Sequence, residues 1–391
     1  MSKFSQLPIS KEVLYSISKM GYEKPTEVQE KTIPVVMDGK DVIAQAQTGT
    51  GKTAAFGIPI VDKVNPKIKK VQALILVPTR ELAIQVAREI KNIGRGKKVF
   101  VLAVYGGKSI HHQIKFLKKG NDVIVVGTPG RVKDLIDRGY LKLDGVKYFV
   151  LDEADRMLDM GFIEDIEYIM SKLPKDRQTL LFSATMPEEI KKLAEKFLKK
   201  DYETIKISPK QITVDRIKQT AYRVDSKNKF STFIDILKTT MGKKSIVFTQ
   251  TKAMADEVAD KLKKQGFNAN AIHGDYSQNK REKVLKDFRS GKLDILVATD
   301  VAARGLDIKG VETVYNYDIP KEVESYVHRI GRTGRAGKNG MAFSVFTPDE
   351  DMFFYRILKN TKADIKLINK SEKPLKKSDK KSNSRRKFIK R

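Results

Sequence analysis

DVIAQAQTGTGKT fills residues 41–53 and holds three signals in one short run. Asp41–Ala44 is a brief apolar, β-branched stretch of the kind that forms a buried parallel strand. Ala46-Gln47-Thr48-Gly49-Thr50-Gly51-Lys52-Thr53 follows at once as a glycine-rich turn, and the chain then becomes helical. A strand, a turn of this composition and a helix make a phosphate cradle. Backbone N–H groups gather at the helix N-terminus, Lys52 reaches the β and γ phosphates, and the Thr53 hydroxyl ligates Mg²⁺. The usual first glycine of this pattern is Ala46 here, still small enough for the turn.

Outward from that run the same rhythm repeats. Short apolar runs at 73–77, 99–104, 123–126, 149–151, 180–182 and 204–207 alternate with helical stretches such as 80–93 and 187–197. A second series lies at 221–224, 245–248, 269–272, 295–298, 313–317 and 342–346. Near-continuous hydrophobic strands separated by helices predict parallel sheets covered on both faces, so the fold class is α/β. Two such halves divide the chain into domains at 1–207 and 218–362. They are joined by a linker at 208–217 and followed by a basic disordered tail at 363–391.

Composition agrees and narrows the function. The chain has 391 residues, 40% hydrophobic and 32% charged, enough apolar material for two cores. Without cysteine it has no disulfide, thiolate metal site or cysteine nucleophile. No apolar run approaches the roughly 18 residues that span a bilayer, and the N-terminus lacks a signal-peptide core. A cytoplasmic protein without a membrane partner is the expectation. Lys and Arg total 77 against 48 acids, a net charge of +29. Residues 370–391 carry 11 basic and 2 acidic side chains, or +9, which leaves +20 on the rest. So basic a chain favours a polyanionic partner.

A second motif, Asp152-Glu153-Ala154-Asp155, follows the apolar run ending at Leu151. A carboxylate at a strand end holds magnesium, the role that falls to Asp152. Glu153 stands beside it to orient or deprotonate the attacking water.

With these residues in hand the chain resembles the DEAD-box ATP-dependent RNA helicases of superfamily 2, over roughly residues 4–350. Its minimal core and short basic tail are similar to those of bacterial members. The motifs stand in the family's order: GYEKPTEVQ (21–29), AQTGTGKT (46–53), PTREL (78–82), GG (106–107), TPGR (128–131) and DEAD (152–155). SAT (183–185), VFTQT (247–251), ATDVAARGLD (298–307) and HRIGRTGR (328–335) complete the series.

The resemblance implies two RecA-like domains and a set of roles. Gln29 reads adenine, Tyr22 stacks on its face and Phe4 braces that contact. Asp155, Ser183 and Thr185 link hydrolysis to RNA, and His328 couples the domains. Arg332 and Arg335 act as arginine fingers, while Gly305 and Asp307 touch the nucleotide. Arg80, Gly107, Thr128, Gly130 and Arg131 face RNA from the first half. Thr251, Arg281, Thr299 and Arg304 face it from the second. This chemistry of hydroxyls, arginines and glycine amides reads backbone rather than bases. The implied cycle closes the domains on ATP and RNA, bends one strand, melts a few base pairs and reopens after hydrolysis.

Two rival classes fit the same motifs less well. A DNA translocase of the same superfamily would not depend on 2′-OH groups, and DEAD with GYEKPTEVQ points away from it. An ATP-gated RNA clamp would seldom turn over, and intact Glu153, Ser183 and Arg332 favour turnover. Ribosome-assembly or RNA-decay proteins are the protein partners the resemblance suggests.

Overall fold

The computed structural model describes residues 3–46, 49–121, 123–207, 217–242, 244–303, 310–334, 339–361 and 363–371. The chain divides into two compact units, Met1–Lys210 and Gln211–Arg391.

In the first unit, α1 (Lys11–Lys19) and α2 (Glu27–Met37) precede β1 (Val42–Gln45), α3 (Lys52–Lys63), β2 (Ala73–Leu76), α4 (Arg80–Ile93) and β3 (Val101–Val104). Then come α5 (Ile110–Lys119), β4 (Ile124–Gly127), α6 (Pro129–Asp137), β5 (Tyr148–Asp152), α7 (Ala154–Asp159) and α8 (Ile163–Ser171). β6 (Gln178–Ser183), α9 (Glu188–Phe197) and β7 (Glu203–Lys206) close the unit. The strands form one parallel sheet in the order β3-β4-β2-β5-β6-β1-β7.

Strand β2 shows why the sequence does this. All four residues are apolar and buried. Ala73 and Ile75 enter a cluster with Val28, Phe56 and Ile90 from α2, α3 and α4. Leu74 and Leu76 enter a second cluster with Leu135, Ile166 and Leu193 from α6, α8 and α9. Alternate side chains leave opposite faces of a strand, so a strand with helices on both sides must be apolar throughout.

The second unit repeats the plan. β8 (Ile217–Arg223), α10 (Lys229–Thr240), β9 (Ser245–Thr249), α11 (Lys252–Lys264), β10 (Ala269–Ile272), α12 (Gln278–Ser290) and β11 (Ile295–Thr299) come first. α13 (Asp300–Ala303), β12 (Thr313–Asn316), α14 (Val323–Ile330), β13 (Gly340–Phe346), α15 (Asp351–Thr361) and β14 (Ile365–Asn369) follow. Its sheet is also parallel, ordered β10-β11-β9-β12-β13-β8-β14.

Two boundaries differ from the expectation. Ile217, placed in the linker from sequence, opens β8 and pairs with Gly340, so strand pairing begins one residue earlier; residues 208–216 lie outside the described residues. The tail expected to be disordered from 363 begins with a strand instead. β14 pairs with β8 from Ile365↔Gln219 to Asn369↔Arg223, and Lys370 N–H donates to the Arg223 carbonyl at 2.8 Å. Ile365 and Leu367 pack against the cluster around Ala221, Phe346 and Phe354. An open sheet edge is a template for any segment with apolar residues at alternate positions, and IKLIN has them. Residues 372–391 lie outside the described residues.

Candidate functional site

In an open parallel sheet, ligands bind beyond the carboxyl ends of the strands. Strand order in the first unit sorts its motifs there into two groups. β5, β6 and β1 are neighbours and deliver DEAD, SAT and the glycine-rich turn. β3, β4 and β2 are neighbours and deliver GG, TPGR and PTREL.

The first group surrounds Lys52. Ala46 N–H donates to the Ser183 carbonyl at 2.9 Å, which extends the β1–β6 ladder by one residue. The position where the pattern usually has glycine therefore needs no unusual backbone, which explains why alanine serves. Gly51 does need one: its φ is +94°, and a Cβ there would collide with the Gln29 carboxamide. Gln29 is buried, with Oε1 accepting from Thr26 N–H at 2.9 Å and Nε2 donating to the Gly51 carbonyl at 3.1 Å. One N–H and one lone pair of that carboxamide remain, the complement of an adenine edge. Gln47 and Thr48 lie outside the described residues, while Gly49 is exposed and Thr50 half-buried.

Lys52 and Asp152 are both buried, and Lys52 Nζ stands 4.0 Å from Asp152 Oδ1, too far for a hydrogen bond. Both atoms are buried without a hydrogen-bonding partner. Such atoms are costly unless a ligand satisfies them. Burial above all, helped by Glu153 and opposed by Lys52, pushes the Asp152 carboxyl up to about 7. A triphosphate beside Lys52 and a divalent cation beside Asp152 and Thr53 would supply what both lack. Among the described residues no group of three or more His, Asp or Glu gathers to hold a metal ion.

Glu153 adopts a left-handed backbone, φ +55°, unusual for a residue with a side chain. Its carboxylate pairs with the Arg156 guanidinium, one turn along α7. Sequence reading passed over Arg156, although its spacing of three from Glu153 on a helix was the available signal. Asp155 ties the neighbouring motif in: its N–H donates to Ser183 Oγ at 3.2 Å. Thr185 donates to Asp155 Oδ2 from both N–H and Oγ1, at 2.8 and 2.9 Å. Phe4 and Tyr22 stack with ring centroids 6.0 Å apart. The Tyr22 hydroxyl donates to Glu89 at 3.0 Å, and burial together with Glu89 raises its pKa.

The second group clusters around Arg80, the first residue of α4. Gly106 and Gly107 lie against its guanidinium, and a Cβ on Gly107, whose φ is +78°, would occupy the place of that group. Arg131 donates from Nη1 and Nη2 to the Lys108 carbonyl, both at 3.3 Å. Burial first, and Arg80 in addition, lowers the Arg131 pKa against Asp134. These two guanidiniums, with the α6 N-terminus that begins after Thr128 and includes exposed Gly130, make an anion-seeking surface.

In the second unit Thr251 and Thr299 follow or end the adjacent strands β9 and β11. The Thr251 hydroxyl accepts from Met254 N–H at 3.1 Å and caps α11. Arg281 sits half-buried on α12, His328 half-buried on α14, and Arg332 is buried just past α14. Arg304, Gly305, Asp307 and Arg335 lie outside the described residues. Arg329, to which sequence reading gave no role, is the pin of this region. It grips Asp300 with two bonds of 2.7 Å and reaches the Asp318 carbonyl at 2.6 Å.

Residues 26–193 match the DEAD/DEAH box helicase family model, and residues 228–337 match the helicase conserved C-terminal domain. The chain is 55% identical over 362 residues to the DEAD-box ATP-dependent RNA helicase CshA of Geobacillus kaustophilus, covering 93% of this chain and 77% of that protein. Among solved structures it is similar to Saccharomyces cerevisiae Dbp5 bound to RNA and ADP BeF3, at 34% identity and TM-score 0.83, covering 94% and 96% of the two chains. A DEAD box protein from Methanococcus jannaschii matches at 46% identity and TM-score 0.55, covering 94% and 99%.

Proposed function

The chain belongs to the DEAD-box family of ATP-dependent RNA helicases, ATP-hydrolysing enzymes, and from that premise we propose how its own residues divide the work. Lys52 and the backbone amides of the glycine-rich turn hold the β and γ phosphates. Thr53 and Asp152, together with phosphate oxygens, would hold Mg²⁺, which would supply positive charge against that developing on the transferred group. Gln29 reads the adenine edge and Tyr22, braced by Phe4, covers its face. Glu153 orients the attacking water and takes its proton. Arg332 and Arg335 direct guanidiniums at the transition-state charge, with Gly305 and Asp307 beside the nucleotide.

RNA is gripped through phosphates and 2′-OH groups by Arg80, Gly107, Thr128, Gly130 and Arg131, and by Thr251, Arg281, Thr299 and Arg304. None of these residue types forms an aromatic platform for bases, so binding is independent of sequence. Asp155, Ser183, Thr185 and His328 carry the linkage that makes ATP hydrolysis RNA-stimulated. Unwinding is local and non-processive: a few base pairs melt per binding event and hydrolysis releases the strand. Work in the cytoplasm on structured RNA or ribonucleoprotein follows from this reading.

The observation that carries the assignment is the buried Lys52–Asp152 pair, held 4.0 Å apart with unpartnered atoms beneath the turn that Gln29 braces. Strand-displacement assays on two RNA duplexes, one twice the length of the other and each with 5′ or 3′ overhangs, test the mode. The short duplex separates with ATP regardless of overhang polarity, and the long one separates far more slowly. Equal rates on both lengths with a fixed polarity would replace local melting by translocation.

A further inference from the structure

At the opposite end of the first sheet from the motifs lies a groove of about 680 Å³. Strand β3 is the edge of that sheet and pairs only with β4 among the described residues. The Phe100 and Val104 carbonyls accept from β4 or the residues flanking it, so alternation turns the amide groups of Val101 and Ala103 outward. Toward its carboxyl end the edge is covered, since Gln113 of α5 bonds both Tyr105 N–H and the Tyr105 carbonyl, at 3.3 and 3.0 Å. Toward its amino end no such cover exists among the described residues, and the groove lies there.

The lining is unusual for a protein surface. Phe100 is 56% exposed and Phe116 47% exposed, and Leu102 lies beside them. Lys91, Arg95 and Lys98 also line it, and among the described residues no carboxylate does. Single exposed apolar residues need no explanation, but two exposed aromatics around one cleft do. Cations with aromatics and an open strand edge together suit one class of ligand.

We propose that this groove docks an extended acidic peptide segment of another protein, added as a further strand beside β3, with aromatic or aliphatic side chains seated against Phe100 and Phe116. Carboxylates between those anchors meet Lys91, Arg95 and Lys98. RNA suits the site less well. Its backbone lacks the alternating N–H and C=O groups at strand spacing that would continue the ladder at Val101 and Ala103, and the groove stands at the amino ends of strands whose carboxyl ends carry the anion-seeking surface. The chain's own tail, +9 over residues 370–391, bears the same charge as the groove.

The test is fluorescence anisotropy on the full chain with a short labelled peptide alternating Glu with Val and Phe. Phe100→Ser with Phe116→Ser, and separately Lys91→Glu with Arg95→Glu, leave RNA-stimulated ATPase unchanged, which also certifies folding. Each pair weakens peptide binding at least tenfold, and methylating alternate peptide amides does likewise. The basic tail is the same in every variant, so its attraction for acid cancels. No saturable binding, equal binding by the variants, or equal binding of a Lys-for-Glu peptide would overturn the proposal. So would displacement of the peptide by single-stranded RNA whose own affinity falls in the same variants, because the groove would then be an RNA surface.

Discussion

Lys52 opens α3 after β1, and Lys229 opens α10 after β8, at matching places in two sheets of the same strand order. Each lysine faces an aspartate near the carboxyl end of a strand two places away, Asp152 or Asp318. There the likeness stops. Lys229 bonds Asp318 at 2.8 Å and Glu350 at 3.1 Å, and Asp318 also accepts from Gln250 N–H at 2.9 Å. Lys52 and Asp152 stay 4.0 Å apart and carry buried atoms without partners. In the first unit the turn before the lysine contains Gly49 and Gly51; in the second, residues 224–228 are VDSKN, with no glycine. One scaffold thus holds a satisfied ion pair and an unsatisfied one. The fold supplies the geometry, and the open valences mark where a ligand belongs.

Replacing Glu153 with Gln gives the largest expected effect, because nothing in the second unit could take over its role. ATP and RNA binding persist while turnover falls about 10²–10⁴-fold, the usual share of a general base. Hydrolysis within about threefold of the parent, about 0.7 kcal/mol, would remove Glu153 from the water.

Next comes a substitution aimed at the satisfied side of the contrast. Arg223 is fully buried and grips Asp351 with bonds of 2.7 and 2.9 Å. Arg223→Leu strands a buried carboxylate and should cost the second unit about 3–5 kcal/mol. Denaturant unfolding followed by probes in each unit checks this. A loss below about 1 kcal/mol, or one shared equally by the first unit, would contradict it.

Gln29→Ala should narrow the preference for ATP over GTP by about 1–3 kcal/mol, the worth of a bidentate base contact. Because Gln29 also holds the Gly51 carbonyl, absolute ATP affinity falls as well. Nucleotide titrations with an unchanged ATP-to-GTP ratio would move base recognition elsewhere.

The smallest effect concerns the region beyond β14. Truncation after Ser371 should reduce the salt slope of single-strand RNA binding by roughly three units, if about four cations each contribute ~0.7. Saturated ATPase activity stays the same. Identical slopes with and without the tail would make it a bystander.

Most of the architecture was legible because buried parallel strands are short apolar runs and the motifs stand at their ends. Ile75 and Val126 need no partner to announce a strand. What escaped was written in pairs distant along the chain. Arg223 and Asp351 are 128 residues apart, and neither carries a local signal. β14 was hidden because its five residues precede a basic run, and only the free edge of β8 makes them a strand. In the site, Lys52, Asp152 and Glu153 could be named from spacing. The dual bonding of Gln29 and the grip of Arg329 on Asp300 depend on loops brought together by folding.

RNA-stimulated ATPase activity of Lys52→Ala beside Lys229→Ala, at a temperature where both remain folded, tests the contrast between the two lysines directly. Lys52→Ala should lower kcat/KM at least a hundredfold, about 2.7 kcal/mol of transition-state binding. Lys229→Ala should stay within about threefold of the parent while losing about 1–3 kcal/mol of stability. Equal losses of activity in the two variants, or a greater loss in Lys229→Ala, would contradict it.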